Sequence, residues 1–245
     1  FLKQGLEVLG IEPAANVAAE AERKGIPSLV RFFGRETARF VRENVGAADL
    51  LLGNNVLAHV PDLNDFVAGM RLLLAERGVI TMEFPHLMRL VEENQFDTIY
   101  HEHFSYLSFG TVERIFARHG LTLFDVEELP THGGSLRIYA RHTESPHEPV
   151  HVRVAALRER ERAAGMQSLD YYRRFGEQVA ATRRKLLRFL IDARDAGKRV
   201  VGYGAFIWVG LFWLNSARHV WPDVKATLSG DLQPAAVMLE PGGEI

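Results

Sequence analysis

The chain has 245 residues, of which 47% are hydrophobic and 24% are charged, and its formal net charge is −2. These values are ordinary for a soluble globular protein, and a net charge of this sign offers no excess of positive potential for nucleic acid or an anionic membrane. No cysteine is present, which excludes disulfides and thiolate metal sites in this chain, and we expect a cytoplasmic protein that binds neither nucleic acid nor membrane.

The first part of the chain alternates short apolar stretches with stretches of helical periodicity. Such an alternation predicts an α/β fold with a mostly parallel, Rossmann-like sheet, whose ligands bind beyond the carboxyl ends of the strands. The segment 49–53 is so rich in leucine that we expect it to be fully buried. Strands are predicted over 7–12, 26–33, 49–53 and 79–84, and helices over 14–24, 35–44 and 63–75.

Two further strands, over 121–128 and 135–141, follow each other without a helix between them. They predict an antiparallel pair at a sheet edge, with Gly133 and Gly134 just before the second strand. An arginine-rich stretch over 152–196 then predicts one long helix or two helices broken near Gly165. The segment 198–205 indicates a strand that enters a second α/β module. We predict one domain over 1–145 and a C-terminal module over 146–245.

The chain opens at Phe1 and passes directly into a strand pattern. This start is typical of a sequence cut inside a longer protein, and we expect the N-terminal side to be truncated.

Glu12 ends the first predicted strand just before a helix. In nucleotide-binding α/β folds, a carboxylate at this position accepts hydrogen bonds from both ribose hydroxyls. The alternative is an acid favoured by the helix dipole, and position alone does not decide between the two. Asn54 and Asn55 follow the buried strand and suit an amino acid-like ligand, although asparagine also forms turns. His59 is a weaker candidate by itself.

The segment 96–108 contains the richest set of chemical groups, with Tyr100, His101, Glu102 and His103 in consecutive positions. If the backbone is extended, Tyr100 and Glu102 point one way and the histidines the other, whereas a helical turn places Tyr100 and His103 on one face. A polar surface loop is the alternative. The spacing lacks the i, i+4 histidine pair of a helical zinc site, so we predict no metal site.

Five segments together resemble, in order, the sugar C-methyltransferases of deoxysugar biosynthesis. The resemblance runs from the first residues to about Tyr203, and the fourth segment is the most distinctive. The segments are 10–16 (GIEPAAN), 53–60 (GNNVLAHV), 83–87 (EFPHL), 96–104 (FDTIYHEHF) and 132–137 (HGGSLR). The family implies a class I methyltransferase fold, S-adenosylmethionine as cofactor, and methyl transfer to C-3 of a nucleoside-diphosphate 4-keto-6-deoxyhexose.

The resemblance also implies roles for individual residues. For the cofactor, Glu12 is similar to the ribose-binding acid, Phe33 to an apolar wall for adenine, and Asn55 to a residue that lines the S-adenosylmethionine pocket, with Asn54 beside it a further candidate for cofactor binding. For catalysis, His103 is similar to the base. Tyr100, Glu102 and His59 match residues near the sugar.

This assignment agrees with the chemistry, because a carbon next to a ketone becomes nucleophilic once a base removes its proton. A histidine near its ordinary pKa suits that task, and hydrogen-bond donors near the 4-oxo group stabilise the enolate.

The chain departs from the family at both ends. The family's glycine-rich loop and zinc-binding cysteine module are expected upstream of Phe1, and the sequence after Ala205 diverges. Two other hypotheses therefore remain: a relative that binds sugar nucleotides without turnover, and a class I methyltransferase with another small-molecule acceptor.

Overall fold

The computed structural model describes residues 1–200. Its helices are α1 (Ala15–Arg23), α2 (Arg35–Asn44), α3 (Leu63–Leu73), α4 (Leu87–Glu92), α5 (Phe109–Arg118), α6 (Val152–Ala164) and α7 (Leu169–Asp195). Its strands are β1 (Gly10–Ile11), β2 (Ser28–Leu29), β3 (Ala48–Asn54), β4 (Leu74–Pro85), β5 (Leu121–Leu129) and β6 (Ser135–His142). Helices and strands alternate as predicted, and the predicted α/β fold class is confirmed.

The strands of the described residues form two sheets. β1 and β2 make a parallel pair, and the other sheet has the order β3-β4-β6-β5. β3 pairs with β4 in parallel, whereas β6 is antiparallel to both β4 and β5. The predicted antiparallel pair at the sheet edge is therefore confirmed. β1 and β2 have only two residues each, much less than the predicted stretches over 7–12 and 26–33.

One face of the four-stranded sheet packs against helices and forms the main core. In β4, Ile80, Met82 and Phe84 alternate along the strand and are fully buried, as side chains on one face of a strand must be. Phe109 and Phe116 of α5 join the same cluster from positions that share one helix face. This packing fixes β4 and α5, which flank the segment with the richest chemistry.

The expectation that the segment 49–53 is fully buried is wrong. Leu51 of β3 packs against the core, but Leu50 and Leu52 are 44% and 53% exposed. β3 is the outer strand of the four-stranded sheet, and its side chains alternate between two faces. A run of leucines does not show which of the two faces is covered.

The arginine-rich stretch forms two helices, and the break near Gly165 is confirmed. Gly165 follows α6 in the left-handed conformation, with φ of 84°, which is the usual way for glycine to end a helix. Packing of the Cα atoms divides the chain into one unit, Phe1–Glu177, and a second that begins at Gln178. The strand predicted over 198–205 falls, from residue 201, outside the described residues, and residues 198–200 form no strand. Within residues 1–200 no helix combines the length and the apolar character needed to cross a membrane.

Candidate active site

The carboxyl ends of two parallel strands place the first candidate residues at one edge of the sheet. β3 ends at Asn54, and the backbone N–H of Asn55 donates to the carbonyl oxygen of Glu83 in β4, at 2.8 Å. His59 ends the 3-10 turn that follows, Leu57–His59. Since ligands of open α/β sheets bind beyond the carboxyl ends of the strands, this edge is the expected location of a site.

The segment with the richest chemistry is anchored to the same edge through Ala58. The backbone N–H groups of Phe104 and Ser105 both donate to the carbonyl oxygen of Ala58, at 2.9 and 3.2 Å. The N–H of His103 donates to the carbonyl oxygen of Tyr100 at 3.2 Å, which closes a turn. Of the two predicted arrangements, the turn is the one formed, so Tyr100 and His103 lie on the same side.

His59, Tyr100 and His103 form one cluster of side chains. The rings of His59 and His103 have centroids 4.8 Å apart, and those of Tyr100 and His103 are 4.4 Å apart. The hydroxyl of Tyr100 lies 3.3 Å from Nε2 of His103, within hydrogen-bond distance. Glu102 participates through its backbone, because its carbonyl oxygen accepts a hydrogen bond from Nδ1 of His59 at 2.9 Å, while its side chain is exposed.

The surroundings of His103 favour its neutral form. Partial burial and the nearby His59 lower the pKa of His103 below its ordinary value of 6.5, against the opposing effects of a hydrogen bond with the Thr98 backbone and of the Glu102 charge. A neutral imidazole can accept a proton at neutral pH. His59 donates from Nδ1, so its Nε2 is the nitrogen available for a proton or a ligand.

Glu12 and Phe33 lie outside this cluster. Glu12 follows β1 of the two-stranded sheet, and its Oε1 accepts a hydrogen bond from the N–H of Ala14 at 2.8 Å, where α1 begins. This contact fixes the carboxylate at the end of β1, just before α1. Phe33 packs edge to face on Phe66 with ring centroids 5.2 Å apart. The ribose and adenine roles stay predictions.

Asn55 has an unusual backbone and an unused acceptor. Its φ is 55°, in the left-handed region that asparagine tolerates better than most residues. Its Oδ1 is buried and has no hydrogen-bond partner among the described residues. A buried, unpaired acceptor costs free energy unless a ligand supplies a donor. Asn54, by contrast, is exposed at the end of β3.

Sequence reasoning missed Glu83, which lies in the sheet beside Asn55. Its side chain is 7% exposed, and it accepts hydrogen bonds from Thr131 Oγ1 and Arg137 Nη2, each at 2.8 Å. Burial alone would raise the pKa of Glu83, but these hydrogen bonds and the Arg137 charge outweigh burial and lower it. The signal in the sequence was a carboxylate inside an apolar strand, with an arginine in the facing strand β6.

Tyr106 was also missed, although it lies next to the cluster. Its hydroxyl accepts a hydrogen bond from the N–H of Tyr100 at 3.0 Å and donates to the carbonyl oxygen of Tyr100 at 3.4 Å. Its ring meets that of His103 edge to face, with centroids 5.6 Å apart. Tyr106 therefore fixes the backbone from which the Tyr100 side chain extends.

Comparison with known proteins assigns the chain to a family. The methyltransferase domain family matches residues 1–126, just over half of the chain, so the protein belongs to the methyltransferases. The C-methyltransferase C-terminal domain family matches residues 130–208. The resemblance read from the five sequence segments is thereby confirmed at the level of the family.

One curated relative is the C-methyltransferase NovU of Streptomyces niveus. It is 38% identical over 208 residues, which cover 84% of this chain and 49% of NovU. The chain thus spans about half the length of that relative. Solved structures with a similar fold include the magnesium protoporphyrin IX methyltransferase ChlM of Synechocystis, with bound S-adenosylhomocysteine. In that case the identity is 12%, the match covers 56% of this chain and 65% of that chain, and the TM-score is 0.43.

Proposed function

We propose that the protein uses S-adenosylmethionine to methylate a carbon, C-3, of a nucleoside-diphosphate 4-keto-6-deoxy sugar. The observation that carries the proposal is the cluster of His59, Tyr100 and His103 at the carboxyl edge of the sheet. It combines a neutral imidazole with a phenol that can donate a hydrogen bond. The match of residues 130–208 to the C-methyltransferase C-terminal domain supports the class of reaction, while the acceptor and its position rest on the sequence resemblance and on the chemistry of the cluster.

The described residues fit the cofactor at two points. Asn55 presents a buried Oδ1 that lacks a donor, and the amino group of the methionine part is a suitable donor. Glu12 presents a carboxylate at the end of β1, held by the N–H of Ala14, which suits the ribose hydroxyls. When bound, S-adenosylmethionine supplies an electrophilic methyl group.

Each residue of the cluster has its own role in the proposed reaction of the sugar. Nε2 of His103 takes the proton from the carbon next to the ketone, which leaves a negative charge shared between that carbon and the oxo group. The hydroxyl of Tyr100, 3.3 Å from that nitrogen, donates a hydrogen bond that stabilises the developing charge. His59, whose Nδ1 donates to the carbonyl oxygen of Glu102, lies beside His103, with the ring centroids 4.8 Å apart. The Glu102 side chain is exposed and contributes charge without direct contact.

Proton exchange tests this proposal apart from methyl transfer. The full-length protein is incubated in deuterated water with a nucleoside-diphosphate 4-keto-6-deoxyhexose, and deuterium at C-3 is measured by mass spectrometry. His103→Asn is expected to abolish both exchange and methylation, because both require the same base. His101→Asn is the matched control: this histidine is two residues away and exposed, and it is expected to leave both activities intact. Exchange that persists in His103→Asn would place the base elsewhere, with His59 the next candidate.

A further inference from the structure

One buried carboxylate, Glu161 of α6, has no part in the chemistry proposed above. It stands in a run of alternating charges, in which Arg158, Glu159, Arg160 and Arg162 are exposed. Glu161 is 5% exposed, because it shares the inward face of α6 with Val154 and Leu157. A charge on the core face of a helix is costly unless hydrogen bonds compensate it, so its partners show what it does.

Glu161 accepts three hydrogen bonds. Its Oε1 accepts from Nε2 of His86 at 2.8 Å and from the backbone N–H of Phe109 at 2.6 Å, and its Oε2 accepts from the N–H of Gly110 at 2.9 Å. Burial alone would raise the pKa of Glu161, but these three donors outweigh burial and lower it. The side chain is therefore a carboxylate at neutral pH, and it lies at the positive end of α5.

The three donors lie at the two ends of the segment that carries the catalytic cluster. His86 directly follows β4 and precedes α4, and Phe109 is the first residue of α5. Between them runs the segment 87–108, which contains Tyr100 and His103. The two ends also meet directly, since the N–H of Leu87 donates to the carbonyl oxygen of Leu107 at 3.0 Å. Glu161 thus joins the start and the end of this segment from a third element.

Apolar packing supports the same connection. Met166 and Tyr171, which lie just beyond α6, share a buried cluster with Met88 and Leu90 of α4, and Tyr106 of the segment packs against it. The hydrophobic contacts hold the segment against the α6–α7 turn, while the carboxylate specifies the positions of the two ends.

We propose that Glu161 is a positioning residue: by holding both ends of the segment 87–108 together, its carboxylate fixes the placement of Tyr100 and His103. It lies in the region 130–208 that matches the C-methyltransferase C-terminal domain, whereas Tyr100 and His103 lie in the region 1–126 that matches the methyltransferase domain. The second region thereby organises the catalytic cluster of the first. The catalytic consequence rests on the function proposed above, but the structural consequence does not.

Glu161→Gln in the full-length protein tests the proposal, with hydrogen exchange of peptides from two regions as the readout. Glutamine keeps the size of the side chain but removes the charge and replaces one acceptor oxygen by an NH₂ group, which faces the donor or donors that this oxygen served. Amide exchange in residues 96–108 is expected to rise about tenfold, while exchange in the hairpin of β5 and β6 stays unchanged. The matched control is Glu159→Gln on the same helix, whose exposed carboxylate pairs with Arg162 and which is expected to change neither region.

Kinetics give the second readout. Glu161→Gln is expected to lower kcat for methyl transfer while the dissociation constant of S-adenosylmethionine stays the same. The reason is that the cofactor candidates, among them Glu12 and Asn55, lie outside the segment 87–108. Unchanged exchange in residues 96–108, or a rise of equal size in the hairpin, overturns the positioning role. A local rise in exchange in a protein that shows no methyl transfer to the keto sugar supports the positioning role and rejects the proposed function.

A second variant keeps the proposal testable if Glu161→Gln fails to fold. His86→Gln removes the histidine at the start of the segment and leaves the two N–H donors of α5 in place. We expect a smaller but still local rise of exchange in residues 96–108, and no rise would overturn the proposal.

Discussion

Removal of the Tyr106 hydroxyl group should test whether this group positions the proposed catalytic cluster in addition to stabilising the fold. Tyr106→Phe deletes the group that contacts the N–H and the carbonyl oxygen of Tyr100, at 3.0 and 3.4 Å. The second contact is too long for a strong O–H donor, so one good hydrogen bond is lost, worth about 1 kcal/mol. Burial raises the pKa of Tyr106, so the hydroxyl that accepts this hydrogen bond is neutral near pH 7.

If that free energy holds Tyr100 and His103 in their productive arrangement, its loss lowers the ratio of productive to other arrangements about fivefold, and about fivefold is the upper limit of the fall in population. We expect kcat for methyl transfer to fall by about that factor and the free energy of unfolding to fall by about 1 kcal/mol, as measured by steady-state kinetics and urea denaturation. Tyr172→Phe is the control, because its hydroxyl donates to the carbonyl oxygen of Met166 at 2.8 Å, away from the cluster. Equal kcat values for the two variants would refute the reasoning.

Two further variants test Glu12, the candidate ribose ligand, and Glu83, the buried carboxylate of β4. Glu12→Gln should weaken S-adenosylmethionine binding by about 1–3 kcal/mol, because an amide leaves one ribose hydroxyl poorly paired. Calorimetry should show this loss with an unchanged affinity for the sugar nucleotide, and an unchanged cofactor affinity would reject the ribose role. Glu83→Gln should lower the free energy of unfolding at pH 7 by about 2 kcal/mol, because it removes a charged partner of Arg137. Since the pKa of Glu83 is lowered in the folded protein, its contribution is present above the ordinary value of 4.5 and is lost as the pH falls through the folded pKa. Urea denaturation between pH 7 and pH 3 should therefore show a shallower acid loss in the variant, and parallel curves would contradict this assignment.

The local elements were predictable because their signals are local. The helix predicted over 35–44 is α2 with the same bounds, and the helix break near Gly165 follows from the freedom of glycine to adopt positive φ. The burial of β3 was not predictable, since three consecutive leucines point to both faces of a strand and do not reveal which face is covered. The predicted strands were longer than β1 and β2 are, because the apolar stretches of the sequence extend well beyond the two residues that pair in each strand.

The candidate site, too, was predictable from the sequence only in part. The composition of the segment 96–108 pointed to the chemistry. The contact of His103 with His59, however, joins residues 44 positions apart in the sequence and depends on the carbonyl of Ala58, which no side-chain pattern indicates. Glu161 was hidden for another reason. In a run of alternating arginine and glutamate every carboxylate resembles a solvated one, and only the register of α6 against the core shows which of them is buried.

The pairing of two imidazoles explains how a histidine in this position can serve as a base. The ring centroids of His59 and His103 are 4.8 Å apart, so charge on one ring opposes charge on the other, and the proximity of His59 contributes to the lowered pKa of His103. The exposed carboxylate of Glu102 acts in the opposite direction, since it favours the protonated ring. In the function proposed above, the cluster would therefore favour neutral His103 before the proton is taken and place a negative charge nearby to stabilise the imidazolium afterwards, which is the balance that a reversible proton acceptor requires.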